Sequence, residues 1–321
     1  MLTRRSLLHA LPAALSLPAL FHALDAAAAP LTYALKPVKL TDGVWMVEGA
    51  QEAINQTNGG AIANISILDS SAGAIVIDTG PSHKYGDALA ALAKELTGKP
   101  VARVYNTHFH PDHVMGNQGF DASVIAAPQG VIDGLKDLGN AFADAMYQSA
   151  GDWMRGTEVV LPGLVLSGSV EDFGDRRIRT LAARGHTASD LVLFDEASGT
   201  MFTGDLVFLD RAPTTPHANI EKWRQTLANL GSIPFSKLVP GHGPAEASVR
   251  GIEQTRQWLE ALWQIVGDAF EKGLDITEAI AVPLPAWTDK IALARYEYER
   301  SVMHIYPMLE SGRWPRIDSK G

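Results

Sequence analysis

The sequence predicts an α/β layered sandwich: two sheets packed face to face, with helices outside them. Three observations predict it. β-rich runs broken by glycine and aspartate alternate with stretches of helical apolar spacing, in each half of the chain. Such alternation builds layers of sheet and helix rather than a helical bundle. The 321 residues, 46% hydrophobic and 20% charged, supply far more than one minimal core, and layered α/β folds often use this length as one domain. Finally, ligand-type side chains follow the ends of expected strands in both halves.

In the first half, residues 37–78 read as strands, with runs at 44–47, 61–67 and 74–77, the last ended by Asp78-Thr79-Gly80-Pro81. Apolar spacing over 85–96 predicts a helix that Gly98-Lys99-Pro100 stops. A strand at 101–105 follows. Residues 129–155 predict one or two helices, with Leu135, Leu138, Phe142, Met146 and Trp153 on one stripe. The second half repeats the logic: strands at 177–183, 191–194 and 200–203, a helix at 220–230, a strand at 235–239, then helices at 245–274 and 288–309.

The beginning reads differently. Arg4-Arg5-Ser6-Leu7-Leu8, an apolar stretch to Leu24 and the alanines 26–29 make a secretory signal, cleaved within 26–29. The paired arginines resemble a twin-arginine signal, so the expected location is the periplasm. An uncleaved anchor is the alternative, and Pro12 and Pro18 argue against it. The expected organisation is a signal at 1–29, a main domain at 30–250 and a helical extension at 251–321 packed on that domain. No later segment is apolar enough to span a membrane, so no stable anchor is expected after cleavage. The net charge of -9, with no Lys/Arg cluster after residue 30, speaks against a nucleic-acid partner. The absence of cysteine excludes disulfides, thiolate zinc ligands and iron–sulfur clusters.

The run His108-Phe109-His110-Pro111-Asp112-His113 puts three imidazoles and a carboxylate within six positions after a strand. Imidazole nitrogen and carboxylate oxygen are ordinary zinc ligands. His108 and His110 point to one side of an extended backbone, leaving Asp112 and His113 to turn toward a second ion. A solvated His-rich loop is the bland alternative. Three later positions share a context: His186 after Gly185, Asp205 after Gly204 and His242 after Gly241, each following an expected strand. The glycine lets the backbone turn and offer the side chain to a shared site. Singly, each is more often structural; together they complete a two-metal shell.

The pattern Asp78, His108-x-His110-x-Asp112-His113, His186, Asp205, His242 resembles the metallo-β-lactamase-fold superfamily over roughly residues 40 to 245. The resemblance implies a four-layer αβ/βα sandwich with the site at one edge of the two sheets. It puts His108, His110 and His186 on the first metal, Asp112, His113 and His242 on the second, and Asp205 on both, with Asp78 orienting ligands from behind. It implies a pair of zinc ions roughly 3.5–4 Å apart sharing a hydroxide that attacks a carbonyl or phosphoryl centre, with Asp112 orienting that nucleophile and shuttling its proton.

Within the superfamily, Asp205 stands where one β-lactamase subclass has cysteine and resembles the aspartate of glyoxalase II-type thioesterases and lactonases. The whole chain is most similar to exported zinc metallohydrolases associated with quinoprotein and sulfur-oxidation systems, which implies a functional link to a periplasmic quinoprotein dehydrogenase system. The expected substrate is a small ester, thioester, lactone or amide. β-Lactam hydrolysis, a mononuclear iron enzyme of the persulfide dioxygenase type, and a non-catalytic metal- or cofactor-handling protein stay open.

Other residues are less distinctive. His217 is read as a substrate contact or an exposed loop residue, and Arg211 and Arg184 as contacts for a substrate carboxylate or surface salt bridges. Trp153 and Met154 are read as a pocket wall or core. Trp258, Trp263, Tyr296, Tyr298 and Tyr306 are read as packing, a few of them capping the site. His83 and His304 fit no metal motif.

Overall fold

Two sheets form the centre of the structure. In the first, β1 (Pro37–Thr41), β2 (Val44–Val47), β3 (Ile65–Ser70), β4 (Gly73–Ile77), β5 (Val101–Tyr105), β6 (Ile125–Ala127) and β7 (Leu164–Val165) lie in chain order. The pairs are antiparallel as far as β4 and parallel from β4 onward. The second sheet holds β8 (Val170–Asp172), β9 (Arg177–Ala183), β10 (Asp190–Asp195), β11 (Thr200–Phe202) and β12 (Lys237–Val239), in the order β12-β11-β10-β9-β8. Only β11 and β12 run parallel there. This computed structural model describes residues 31–313. Internal contacts divide the chain into Met1–Leu31 and Thr32–Gly321, and every element named here lies in the second. The expected signal at 1–29 falls outside the described residues.

The alternation of side chains along each strand produces the layers. Leu68 on β3 and Ile75 and Ile77 on β4 face Leu191, Leu193 and Phe202 of the other sheet. Their neighbours Ile65, Ile67, Ala74 and Val76 face outward, against Tyr85, Leu89 and Ala93 of α1 (His83–Thr97). On the far side, Val192 and Met201 pack against Trp223 and Leu227 of α4 (Ile220–Gly231) and Trp258 and Leu262 of a later helix, Arg250–Glu271. Strands covered on both faces read as unbroken apolar runs rather than alternating ones. That is why β4 and β10 are apolar throughout their centres. The order is helix, sheet, sheet, helix: the expected four-layer sandwich.

Pro111–Val114 (α2) is a single helical turn after β5, and Gln129–Ala150 (α3) covers it. Numbered on from these and α4, Arg250–Glu271 is α5, followed by α6 (Ile276–Ala281) and α7 (Ala294–Arg313). Tyr298, Val302 and Ile305 of α7 join the core that α4 and α5 share.

The expected boundaries need several corrections. The strand read over 61–67 begins only at Ile65, because Asn64 is occupied elsewhere: its side chain donates to Pro240 O and Gly243 O, at 2.9 and 2.7 Å. The helix read from 245 starts at Arg250, because Glu246 exchanges backbone hydrogen bonds with Leu238 and adds a bridge beside β12. The helix read over 288–309 is split. A 3-10 turn at Ala286–Lys290 ends before Leu293, whose φ of 60° interrupts the path into α7. Short β6, β7 and β8 have too few residues to show a period, and α6 begins two residues beyond the expected helix end, on an Asp275/Glu278 capping box.

Candidate metal centre

Five loops deliver the site, each leaving the C-terminal end of a strand: β4 to Asp78, β5 to residues 108–113, β9 to His186, β11 to Asp205 and β12 to His242. Three of these strands belong to the second sheet and two to the first, so the site lies at the edge where the sheets meet. Two groups of donor atoms form there: His108, His110, His186 and Asp205 in one, Asp112, His113 and His242 in the other. Within each group the donor atoms lie within 4.8 Å of one another, and every residue is buried.

Asp205 faces both groups, one carboxylate oxygen to each. Oδ2 is 3.8 Å from His108 Nε2 and 3.3 Å from His186 Nε2. Oδ1 is 3.0 Å from His113 Nε2 and 3.3 Å from His242 Nε2. Asp112 Oδ2 is 3.4 Å from His242 Nε2 and 3.7 Å from His113 Nε2. Gly241 makes this approach feasible: a Cβ there would sit 2.0 Å from Asp205 Oδ1. The glycines before the ligand-type residues therefore act in different ways. Gly204 takes a positive φ of 49°, and Gly241 supplies close approach.

The hydrogen bonds behind the rings fix which nitrogen carries the proton. His242 Nδ1 lies 2.7 Å from Ile62 O, which can only accept, so the neutral ring leaves Nε2 bare. Asp78 does the same for two other rings. Its Oδ2 accepts from His113 Nδ1 at 2.8 Å and from Thr107 Oγ1 at 2.8 Å. The Thr107 oxygen, its own proton spent on Asp78, accepts from His108 Nδ1 at 3.0 Å. Asp78 holds a φ of 61° to reach this position, a backbone region that non-glycine residues seldom adopt. Asp190 shapes the next loop by accepting from the backbone N–H of His186 and of Thr187, at 3.1 and 3.0 Å. Burial pushes its carboxyl up to about 7 against these hydrogen bonds.

His108 Nε2, His113 Nε2 and Asp205 Oδ1 are buried and have no hydrogen-bond partner among the described residues. Unpartnered buried polar atoms are costly, and several of them converging suit a cation as their common partner. The electrostatics agree. Burial holds His108, His110 and His186 well below the ordinary imidazole range, that is, neutral. Burial would also lower His113, but the Asp205, Asp112 and Asp78 carboxylates outweigh it and raise that ring. Burial would raise Asp112 and Asp205. For Asp112 the His113 and His242 rings prevail, and for Asp205 the His242 and His113 rings, so both stay ionised. A divalent cation would satisfy these demands together, which makes the donor set a fit for metal.

A cavity of about 490 Å³ opens over Asp112, His110 and His242. Met146 and Phe142 of α3 form one wall, and Tyr296, Glu297, Arg300 and His304 of α7 form the other. His217 borders it as well from an exposed loop position; its Nδ1 lies 2.8 Å from His110 Nε2.

A family model described as the metallo-beta-lactamase superfamily matches residues 58–242. The chain belongs to the metallo-beta-lactamase superfamily. Among superfamily relatives, it is 23% identical over 232 residues to a "Beta-lactamase-like protein 2 homolog" of Caenorhabditis elegans, covering 72% of this chain and 70% of that one. It is 26% identical over 172 residues to a hydroxyacylglutathione hydrolase of Nostoc, covering 52% of this chain and 57% of the enzyme. The fold matches the metallo-beta-lactamase of Pontibacter korlensis with a TM-score of 0.56, at 19% identity over 70% of this chain and 99% of that one. The DIM-1 metallo-beta-lactamase gives 0.54, at 18% identity over 72% and 98%. The family match includes every residue of both donor groups and stops before α5.

The less distinctive residues separate. Arg211 is buried, contradicting the surface salt bridge, because its loop runs under α7 and its guanidinium meets His242 Nδ1. Arg184 is exposed, and His83 makes a surface pair with Asp87 at 3.3 Å. Trp153 and Met154 do not line the cavity. Trp153 packs against Tyr33 with the rings tilted by 44° and donates to Gln56 O, and Met154 is core. Trp258, Tyr298 and Tyr306 are buried packing, and Trp263 is exposed away from the centre. Of the expected caps, Tyr296 reaches the site. Sequence reasoning missed Thr107, Asn64 and Asp190 as supports, and Glu297, Arg300 and His304 as wall residues. Thr107 sits beside His108, where a ligand histidine's need for a partner could have found it; Asp190 and Asn64 hold backbone of the ligand loops and carry no such signal. The wall residues carry no local signal.

Proposed function

We propose that this chain is an exported hydrolase that uses two zinc ions to cleave a small ester, thioester, lactone or amide. The observation that carries the reading is Asp205, whose two oxygens address two different donor groups. A single-metal enzyme has no use for the second group. His108, His110 and His186 would hold one ion, Asp112, His113 and His242 the other, and Asp205 both. When bound, the pair would supply polarisation of the scissile carbonyl and a nucleophile from water near neutral pH.

The chain's own residues do the rest. Asp78 and Thr107 keep two rings in the tautomer that offers Nε2. Asp112 borders the cavity, kept ionised by its imidazole neighbours; it orients the attacking water and accepts its proton at the carboxylate. Phe142 and Met146 limit water on the α3 side. The hydroxyacylglutathione hydrolase relatives favour a thioester or ester among these substrates.

Elemental analysis of residues 30–321, purified without chelator, tests the metals. About two zinc ions per chain, with turnover on a panel of thioesters, lactones and β-lactams, is the expected result. One iron per chain would turn the reading to persulfide oxidation. Asp112→Asn should weaken the hold on the second ion and lose about 10²- to 10⁴-fold in turnover; near-normal turnover at full metal content would remove Asp112 from the mechanism. The proposed periplasmic location rests on residues 1–29, and replacing Arg4 and Arg5 with lysine should block export.

A further inference from the structure

Asp78, Thr107 and Ile62 O hold the rings of His113, His108 and His242 from the core side. His110 is held from the opposite direction. Its Nδ1 lies 2.8 Å from His186 Nε2 and so faces the first donor group. Its Nε2 points away, toward Nδ1 of His217 at 2.8 Å. An imidazole that offers one nitrogen to an ion carries its proton on the other. His110 Nε2–H then donates, and His217 Nδ1 accepts. His217 occupies an exposed loop position, yet three rings surround its own. His110 lies 5.0 Å away, and Phe109 and Phe142 meet it nearly edge-on at 5.4 and 5.9 Å between centroids. The backbone is set as firmly. Ala218 N–H donates to Thr215 O at 3.0 Å, which closes a turn with Pro216 and His217 at its centre. The buried Thr215 hydroxyl donates to Ser301 Oγ of α7 at 2.7 Å.

We infer that His217 is a positioning residue for the first donor group: by accepting the Nε2 proton of His110, it keeps Nδ1 of that ring turned toward the ion. A partner at the far nitrogen fixes the orientation of a ligating imidazole and raises its basicity. Among the described residues no other hydrogen bond reaches His110 Nε2. His217 makes no ring contact or hydrogen bond with Asp112, His113 or His242, so its removal should weaken one ion and spare the other. The support is also tied to α7, which lies beyond the family-matched residues. The hold on one ion therefore depends on a helix outside that match. This inference deepens the two-metal reading and rests on it.

Zinc affinity, measured on the purified protein by competition with a chromophoric chelator and fitted to two sites, tests it without any substrate. His217→Phe keeps a ring between Phe109 and Phe142 but removes the acceptor. It should weaken one zinc site about 10- to 100-fold and leave the other within about twofold. His217→Asn puts an amide oxygen near the place of Nδ1 and should recover most of the loss. In a His110→Ala background, His217→Phe should have no further effect, because the two residues act as one unit. Wild-type affinity at both sites in His217→Phe, an undiminished loss in the His110→Ala background, or no recovery with asparagine overturns the inference. A wild-type chain that binds no zinc sinks the two-zinc reading and this inference with it, whereas two tight sites in both wild type and His217→Phe sink the inference alone. Should circular dichroism show His217→Phe unfolded, His217→Ala takes its place with the same expected loss.

Discussion

The floor and the outer wall of the cavity come from different parts of the chain and obey different constraints. On the floor, the donor side chains are buried, and His108, His113 and His242 are each held from behind by an identified partner. The wall is built by α7 and the 211–217 loop. There Tyr296 is 45% exposed, and Arg300 and His304 reach the cavity from a helix that lies beyond the family-matched residues. A floor with this many mutual dependencies tolerates little change without losing the centre. On the α7 side, separate side chains can be altered one at a time, whereas the 211–217 loop touches the floor through Arg211 on His242 and His217 on His110. Metal binding and contact with a bound molecule are therefore expected to separate on the α7 side.

Substitutions can break that comparison at either end. The largest effect is expected at Asp205, which faces both donor groups. Asp205→Ala should lower the metal content of both sites and reduce turnover by on the order of a thousandfold or more. A variant that retains two ions and ordinary turnover would contradict the shared role. An intermediate effect is expected one layer back. Asp78→Asn leaves the donor atoms in place but removes the charge that orients His113 and, through Thr107, His108. Zinc affinity should fall about 10- to 100-fold, measurable by competition with a chromophoric chelator, and unchanged affinity would leave Asp78 with a backbone role only. The smallest effect belongs to the wall. Tyr296→Ala should keep full metal content and shift KM by a few fold, roughly 1 kcal/mol of contact. Loss of metal in that variant would mean that floor and wall are not separable.

Much of this contrast was legible in the sequence, and unevenly so. The strands that abut the site were readable because most are β-rich runs with a turn residue close behind, such as Asp78 after β4 and Gly204 after β11; 177–183 matched β9 residue for residue. The donors were readable because ligand chemistry allows few residue types, and four of them are crowded into 108–113. The wall was not readable. Glu297, Arg300 and His304 look like ordinary surface residues of an amphipathic helix, and only the packing of α7 on α5 and α6 brings them to a cavity whose other residues lie far away in the chain. Of the two readings of Arg211, the surface salt bridge fails for a related reason. A charged residue in a Pro/Thr-rich loop belongs on the surface by any local rule, and burial there depends on α7 covering the loop. Asn64 was absorbed into a strand because its neighbours are β-branched, although its side chain was needed by the loop that carries His242.

The crowding of residues 108–113 has a consequence before the fold exists. Three imidazoles and a carboxylate in one short segment can chelate a metal ion while the rest of the chain is still disordered. His186, Asp205 and His242 are contributed by the other sheet and are absent from that early complex. An ion captured there stabilises the denatured ensemble as well as the native one, which reduces the net gain that metal gives to folding. On the proposed two-zinc reading, excess zinc during refolding would therefore compete with the architecture.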